Sequence, residues 1–163
     1  MAMRNTVDAK KMRDEYLERV ENLYAKARKW IDGFAPKAEV SQEVTTLHEE
    51  PVEPYSANVL KIERPDYKTV HLIPRGRWII GAEGRVDMKS SLGTETLVYV
   101  SDGGDSIKID SLTENGKVLK EEGPEYNAKD VAEGWVFIQN RRLGMLPSLD
   151  ADLFHRLLEV LGR

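Results

Sequence analysis

The chain has 163 residues, 24 Lys/Arg against 28 Asp/Glu, a formal net charge of −4 and no cysteine. That length fits one domain whose core needs no staple. The missing thiols exclude thiolate zinc sites, disulfide frameworks, redox motifs and cysteine nucleophiles. The first thirty residues are charged throughout and no apolar run approaches the roughly 20 residues that span a bilayer, so the sequence reads as a soluble, cytoplasmic protein without a membrane contact.

From Asp8 to Trp30 the apolar residues Tyr16, Val20, Leu23, Ala27 and Trp30 recur at alternating steps of four and three, the pattern of an amphipathic helix. Thr6 or Asp8 is expected to cap its start, and Gly33 followed by Pro36 to end it. A seam of this period can lie along a sheet of its own chain, or it can meet a protein partner or a second copy. The helix is assigned residues 1–34. Residues 35–57 hold three prolines and five glutamates with one lysine, a composition that reads as an acidic linker or arm. Its one β-prone piece, "EVTTLHE", can add an edge strand, and His48, Glu49 and Glu50 are expected in solvent because three adjacent side chains of a strand do not converge on one ion.

After Asn58 the period changes to two. Val70 and Leu72 alternate with Thr69 and His71, then come Trp78, Ile79 and Ile80, residues 85–88, "TLVYV" (96–100), "SIKID" (106–110), "KVLKE" (117–121) and "WVFIQ" (135–139). Such short runs predict a largely antiparallel sheet of about 7–8 strands that can curl into a small barrel. Asp102-Gly103-Gly104-Asp105 and Asn115-Gly116 are predicted tight turns, since they tolerate positive φ. At the end of the chain Ser148 is expected to cap a helix with Leu153, Phe154, Leu157, Leu158 and Leu161 on its buried stripe and His155 on its polar face. The expected fold is therefore α+β: a long N-terminal helix, an arm, and an antiparallel domain over 58–163 closed by a C-terminal helix.

The richest chemistry lies in "IPRGRWIIGAEGRVDMK", residues 73–89. Pro65-Asp66 followed by Asp87-Met88-Lys89 resembles in outline the PD-(D/E)xK nucleases. That resemblance covers five residues and implies that Asp66 and Asp87 hold Mg²⁺ while Lys89 orients the attacking water. The context departs from that family, because no helical segment separates the strands. Glu83, Arg85 and Asp87 alternate and are expected to form a surface ion-pair ladder of little energetic weight. Gly81-Ala82-Glu83-Gly84 matches neither the dinucleotide fingerprint nor the P-loop, so its glycines are expected to serve a turn or bulge. Arg75 and Arg77, with Arg141 and Arg142 after the last strand, are the candidate binding residues for a phosphate, a carboxylate or an acidic surface.

The three histidines lie in three different segments and no Ser/His/Asp arrangement stands out. Asp102 and Asp105 offer too few oxygen ligands for calcium. Trp30, Trp78 and Trp135 sit in apolar patterns and read as core or core edge. Residues 61–89 carry seven Lys/Arg against four Asp/Glu, short of the basic footprint that phosphate neutralisation requires, so nucleic acid is not an expected partner. The expectation for function is a non-catalytic protein without a cofactor, acting through protein–protein contact or self-association, with the helix stripe and the acidic arm as contacting elements. A Mg²⁺-dependent nuclease or nucleic-acid-binding module built on Asp66, Asp87, Lys89 and the arginines is the alternative.

Overall fold

The N-terminal amphipathic pattern folds as one helix, α1 (Ala2–Phe34), in a computed structural model that describes residues 2–79, 81–101, 107–108, 113–114, 117–118, 125–126, 132–139 and 145–163. The helix runs through both Thr6 and Asp8, so its start lies before the expected caps. At its end Gly33 falls inside the last turn, and the Ala35 amide still donates to the Ile31 carbonyl at 2.7 Å. Pro36, which has no amide hydrogen, follows directly.

The seam of α1 lies against the chain's own sheet. Tyr16, Val20, Leu23 and Ala27 are at most 1 % exposed and belong to the main core, and the half-buried Trp30 packs on Phe154 with ring centroids 5.4 Å apart. Burying a large side chain of this kind contributes about 1.5–3 kcal/mol, so the stripe is one of the principal forces holding α1 in place.

Five longer strands follow: β1 (Glu39–Leu47), β2 (Tyr55–Glu63), β3 (Val70–Gly76), β4 (Arg85–Ser90) and β5 (Gly93–Val100). Next come the two-residue strands β6 (Ile107–Lys108), β7 (Thr113–Glu114), β8 (Lys117–Val118) and β9 (Glu125–Tyr126), and then β10 (Gly134–Phe137). The main sheet has six strands in the order β1-β2-β3-β4-β5-β10, all neighbours antiparallel. Among the described residues it is open: β1 and β10 are its two edges and do not pair with each other. The expectation of seven to eight strands and a possible barrel is thus corrected to six strands in an open sheet. Of the later candidates, 135–139 supplies β10, while 106–110 and 117–121 supply, among the described residues, one strand each of two separate two-stranded ladders, β6 with β9 and β7 with β8. Ile80 and the turns expected at 102–105 and 115–116 lie outside the described residues.

The segment 35–57 departs most from its reading as a linker or arm. β1 pairs with β2 along its whole length, from Glu39 opposite Glu63 to Leu47 opposite Tyr55. Leu47, Val52 and Tyr55 belong to the main core. The polar composition that reads as a linker is that of an edge strand, which faces solvent over most of its length.

Both helices cover one face of the sheet. Leu60, Ile62, Leu72, Val86, Met88 and Leu97 meet α1 and α2 (Ala151–Gly162) there. On the opposite face Ala82, Val98, Val100, Val136 and Ile138 form a smaller cluster towards the β10 edge. The buried stripe of α2 is the expected one, Leu153, Phe154, Leu157, Leu158 and Leu161. Its cap is Asp150, whose side chain accepts from the Leu153 amide at 2.8 Å. Ser148 lies too early for that role and instead forms a backbone bridge with Val136.

α2 is tied to the β2–β3 turn by Arg64, whose Nη1 sits 2.9 Å from Glu159 Oε1 and whose Nη2 donates to the Leu158 carbonyl at 3.1 Å. His155 stacks on Phe34 at 4.0 Å and lies 3.4 Å from Glu159. Burial pushes the Glu159 carboxyl up, but the hydrogen bond and charge of Arg64, aided by His155 and Arg163, outweigh it and hold the pKa below its ordinary 4.5. A carboxylate whose folded value is depressed stabilises the fold above its unfolded value, and that contribution is lost as pH falls through the folded value. Thermal melts are therefore expected to show the wild type more stable than Glu159→Gln at neutral pH, with the gap closing once the pH drops below the ordinary carboxylate range. A gap that stays constant into acid contradicts this.

Candidate functional site

The run 73–89 folds as β3, a connecting loop and β4, with the register shifted between Pro74 and Gly76. All three glycines in it have positive φ, +148° at Gly76, +83° at Gly81 and +152° at Gly84, a conformation that side-chain-bearing residues rarely adopt. Gly76 and Gly84 also admit a neighbour. A Cβ on Gly84 would come within 2.6 Å of Tyr16 Cε1, and one on Gly76 within 2.6 Å of the Glu49 carboxyl carbon. The glycines so explain how α1 and the β1–β2 connection reach the loop.

Tyr16 uses that access to donate its hydroxyl proton to the Arg85 carbonyl at 2.7 Å and to accept from the Gly76 amide at 3.2 Å. Burial pushes its pKa well above 10, with the Gly76 bond opposing, so the phenol stays a neutral donor. Glu49 accepts from the amides of Arg77 at 3.1 Å and Trp78 at 3.2 Å, and from the Tyr55 hydroxyl. Expected in solvent beside His48, Glu49 is in fact half-buried and clamps the loop. Bonds to a charged acceptor contribute about 1.5–3 kcal/mol each.

Arg85 and Asp87, expected as part of a surface ladder, are 9 % and 3 % exposed. Arg85 donates from Nε to Asp87 Oδ1 at 2.9 Å and from Nη2 to Oδ2 at 3.2 Å, and Arg75 Nε approaches Oδ2 at 3.0 Å. Both carboxylate oxygens are thereby engaged. Glu83 is not in this group: it pairs with Arg19 of α1 at 3.0 Å and lies 3.9 Å from Arg77 Nη2. Arg19 in turn sits 4.3 Å over the Tyr99 ring, and its carbonyl accepts from Trp135 Nε1 at 3.3 Å. Arg77 is 7 % exposed and its Nε has no hydrogen-bond partner among the described residues. Burial lowers its pKa, with the charge of Glu83 opposing.

The residues singled out for chemistry are thus distributed. Asp66 is exposed in the β2–β3 turn at φ 65°, whereas Asp87 stands opposite Ile73. Ile73 is three residues into β3, about 10 Å beyond its start at 3.3 Å per residue, and Asp66 precedes that start by four residues in the chain. Lys89 is exposed opposite His71, on the rim of an open groove of about 720 Å³ that also touches Val44, Val59 and Ile73. Among the described residues no group of three His, Asp or Glu could hold a metal ion. Arg75 and Arg77 have different partners, Asp87 and Glu83, and Arg141 and Arg142 lie outside the described residues. Among the described residues the Asp87 carboxylate is held by its own chain, whereas two buried nitrogens of the group, Arg77 Nε and Arg19 Nη1, have no hydrogen-bond partner, the latter facing Glu83 as an ion pair at 3.0 Å.

The open feature is the edge. Among the described residues β1 has a neighbour on one side only, β2. Its backbone groups on the other side are a template for a further strand. Arg28 of α1 reaches the Val40 carbonyl at 3.5 Å near the strand's start. Beyond it Val44 is 72 % exposed. The charges of β1 are acidic, Glu39 and Glu43, and Lys61 of β2 lies 3.7 Å from Glu43. Among the described residues no helix is long and apolar enough to cross a membrane.

Comparison with protein-family models, with curated proteins and with solved structures finds no match for this chain. What the fold itself defines is the class, an α+β protein with two helices on one face of an open six-stranded antiparallel sheet.

Proposed function

We propose that the chain is a non-catalytic protein that works by contact with another polypeptide, and that the contact is made along the open edge of β1. One observation carries this reading: β1 is nine residues long, is paired on one side among the described residues, and exposes Val44 at 72 %. An extended chain added to such an edge gains main-chain hydrogen bonds, and side chains on the two faces supply the selectivity. The groove beside Val44, with Val59 and Ile73 as apolar floor and Lys68 and Lys89 on its rim, extends the surface available to that chain. Of the two contacting elements expected from sequence, the seam of α1 packs in the core, and the acidic segment 35–57 includes β1, which favours the edge over the seam.

Hydrogen exchange read by mass spectrometry tests this. Amides of residues 39–47 are expected to gain protection when the bound polypeptide is present, and Val44→Lys, a surface change of about ±0.5 kcal/mol in stability, is expected to weaken binding at least tenfold. A bound state that leaves 39–47 unprotected and is indifferent to Val44→Lys overturns the reading, as does a chain that binds no polypeptide, itself included.

A further inference from the structure

Resting on that reading of the β1 edge, we infer that its occupant is a second copy of this chain, joined antiparallel through β1 with Gln42 of each copy opposite Gln42 of the other. A two-fold axis relates such strands when it stands perpendicular to the sheet, and then each residue faces a residue of the same side of the pleat. The axis must therefore pass through a residue pairing with its own counterpart, which leaves few registers in a strand of nine residues.

Charge and apolar contact select among them. An axis at Glu43 sets Glu43 against Glu43, and one at Ser41 sets Glu39 against Glu43; acids directly opposite one another are destabilising. An axis at Gln42 sets Glu43 against Ser41 and Glu39 against Thr45, so no acid opposes an acid. It also sets the exposed Val44 against Val40 twice, once on each side of the axis. An axis at Val44 gives a single Val–Val contact, and one at Thr45 pairs only 43–47 and sets Val44 against Thr46. In the Gln42 register the two Glu43 side chains are diagonal neighbours, about 7–8 Å apart by strand geometry. Lys61 of each copy, 3.7 Å from its own Glu43, offsets that approach. The result is one continuous sheet of twelve strands, two copies of the six, with both pairs of helices on the same side.

The absence of native cysteine makes the register directly measurable, because any introduced thiol is the sole one. A disulfide needs Cα atoms about 4.4–6.8 Å apart; directly opposite residues at about 4.5–5.5 Å satisfy this, and diagonal ones do not. Four single-thiol variants of the full chain, Ser41→Cys, Gln42→Cys, Glu43→Cys and Val44→Cys, are oxidised at equal concentration. Gln42→Cys is expected to cross-link at least tenfold faster than the other three alone, and mixing Ser41→Cys with Glu43→Cys is expected to produce a cross-linked pair. Light scattering of the unmodified chain is expected to give twice the 18.5 kDa of the monomer, and Val44→Lys to shift it to the monomer. Fastest cross-linking of Val44→Cys overturns the register. Equal rates for all four, or a monomeric mass at every concentration, overturn the second copy as occupant. In the monomeric case protection of 39–47 by a different polypeptide leaves the proposed function standing, and lack of protection by any polypeptide removes both.

Discussion

Replacing Asp87 with alanine is expected to lower the unfolding free energy by about 3–5 kcal/mol, because it leaves the Arg85 guanidinium buried without its counter-charge. The Arg85 side chain is 11 % exposed and the Asp87 side chain 4 %, so water cannot replace the carboxylate without opening the sheet between β3 and β5. Arg75, at 43 % side-chain exposure, can turn to solvent and is the lesser partner. Arg75→Ala is accordingly expected to cost no more than about 1 kcal/mol, in the range of exposed pairs. Removing both buried charges together, Arg85→Met with Asp87→Leu, is expected to restore most of the stability lost in Asp87→Ala, since an apolar pair of similar volume avoids the desolvation cost. Urea unfolding of the three variants separates these effects. A loss below about 1 kcal/mol for Asp87→Ala would show the pair to be screened as at a surface.

This ion group also marks where sequence stopped being legible. The α1 and α2 stripes were readable because a helix buries one face and so repeats every three to four residues, and Tyr16 through Ala27 and Leu153 through Leu161 carry that repeat undisturbed. β1 was obscured because an edge strand in contact with solvent need not alternate, and its glutamates and the nearby prolines imitate a linker. The third member of the group, Arg75, arrives from the neighbouring strand, and the shift between Pro74 and Gly76 sets which residue arrives. No local pattern encodes that shift. Ser148 and Asp150 are both good helix caps two residues apart, and only the bridge from Ser148 to Val136 decides between them. The candidate edge was visible as a β-prone piece, "EVTTLHE", but its place at the end of the sheet is a property of strand order, which arises from long-range pairing. Glu49 gave a signal only in retrospect: an acid in a connection, in a chain whose distant loop presents two consecutive unpaired amides at Arg77 and Trp78.

Gly84→Ala is expected to cost about 2–6 kcal/mol. Two causes combine. At φ +152° a side-chain-bearing residue is strained, by about 1–3 kcal/mol, and the new Cβ enters the space of the Tyr16 ring, an overpacking cost of about 1–3 kcal/mol. A double-mutant cycle with Tyr16→Leu separates them. Tyr16→Leu alone removes a fully buried aromatic and strips partners from the Arg85 carbonyl and the Gly76 amide, a loss of about 3–5 kcal/mol by analogy with other large-to-small core changes. In that background the ring is gone, so Gly84→Ala retains only the backbone part, and the two costs are expected to fall short of additivity by about 1 kcal/mol or more. Additivity within about 0.5 kcal/mol would mean that ring and loop do not touch. Because Tyr16 sits on α1 and donates to β4's first residue, the same cycle measures how firmly the helix holds the loop. A large coupling makes α1 the brace of the β3–β4 connection, with the buried stripe from Tyr16 to Ala27 committed to the core.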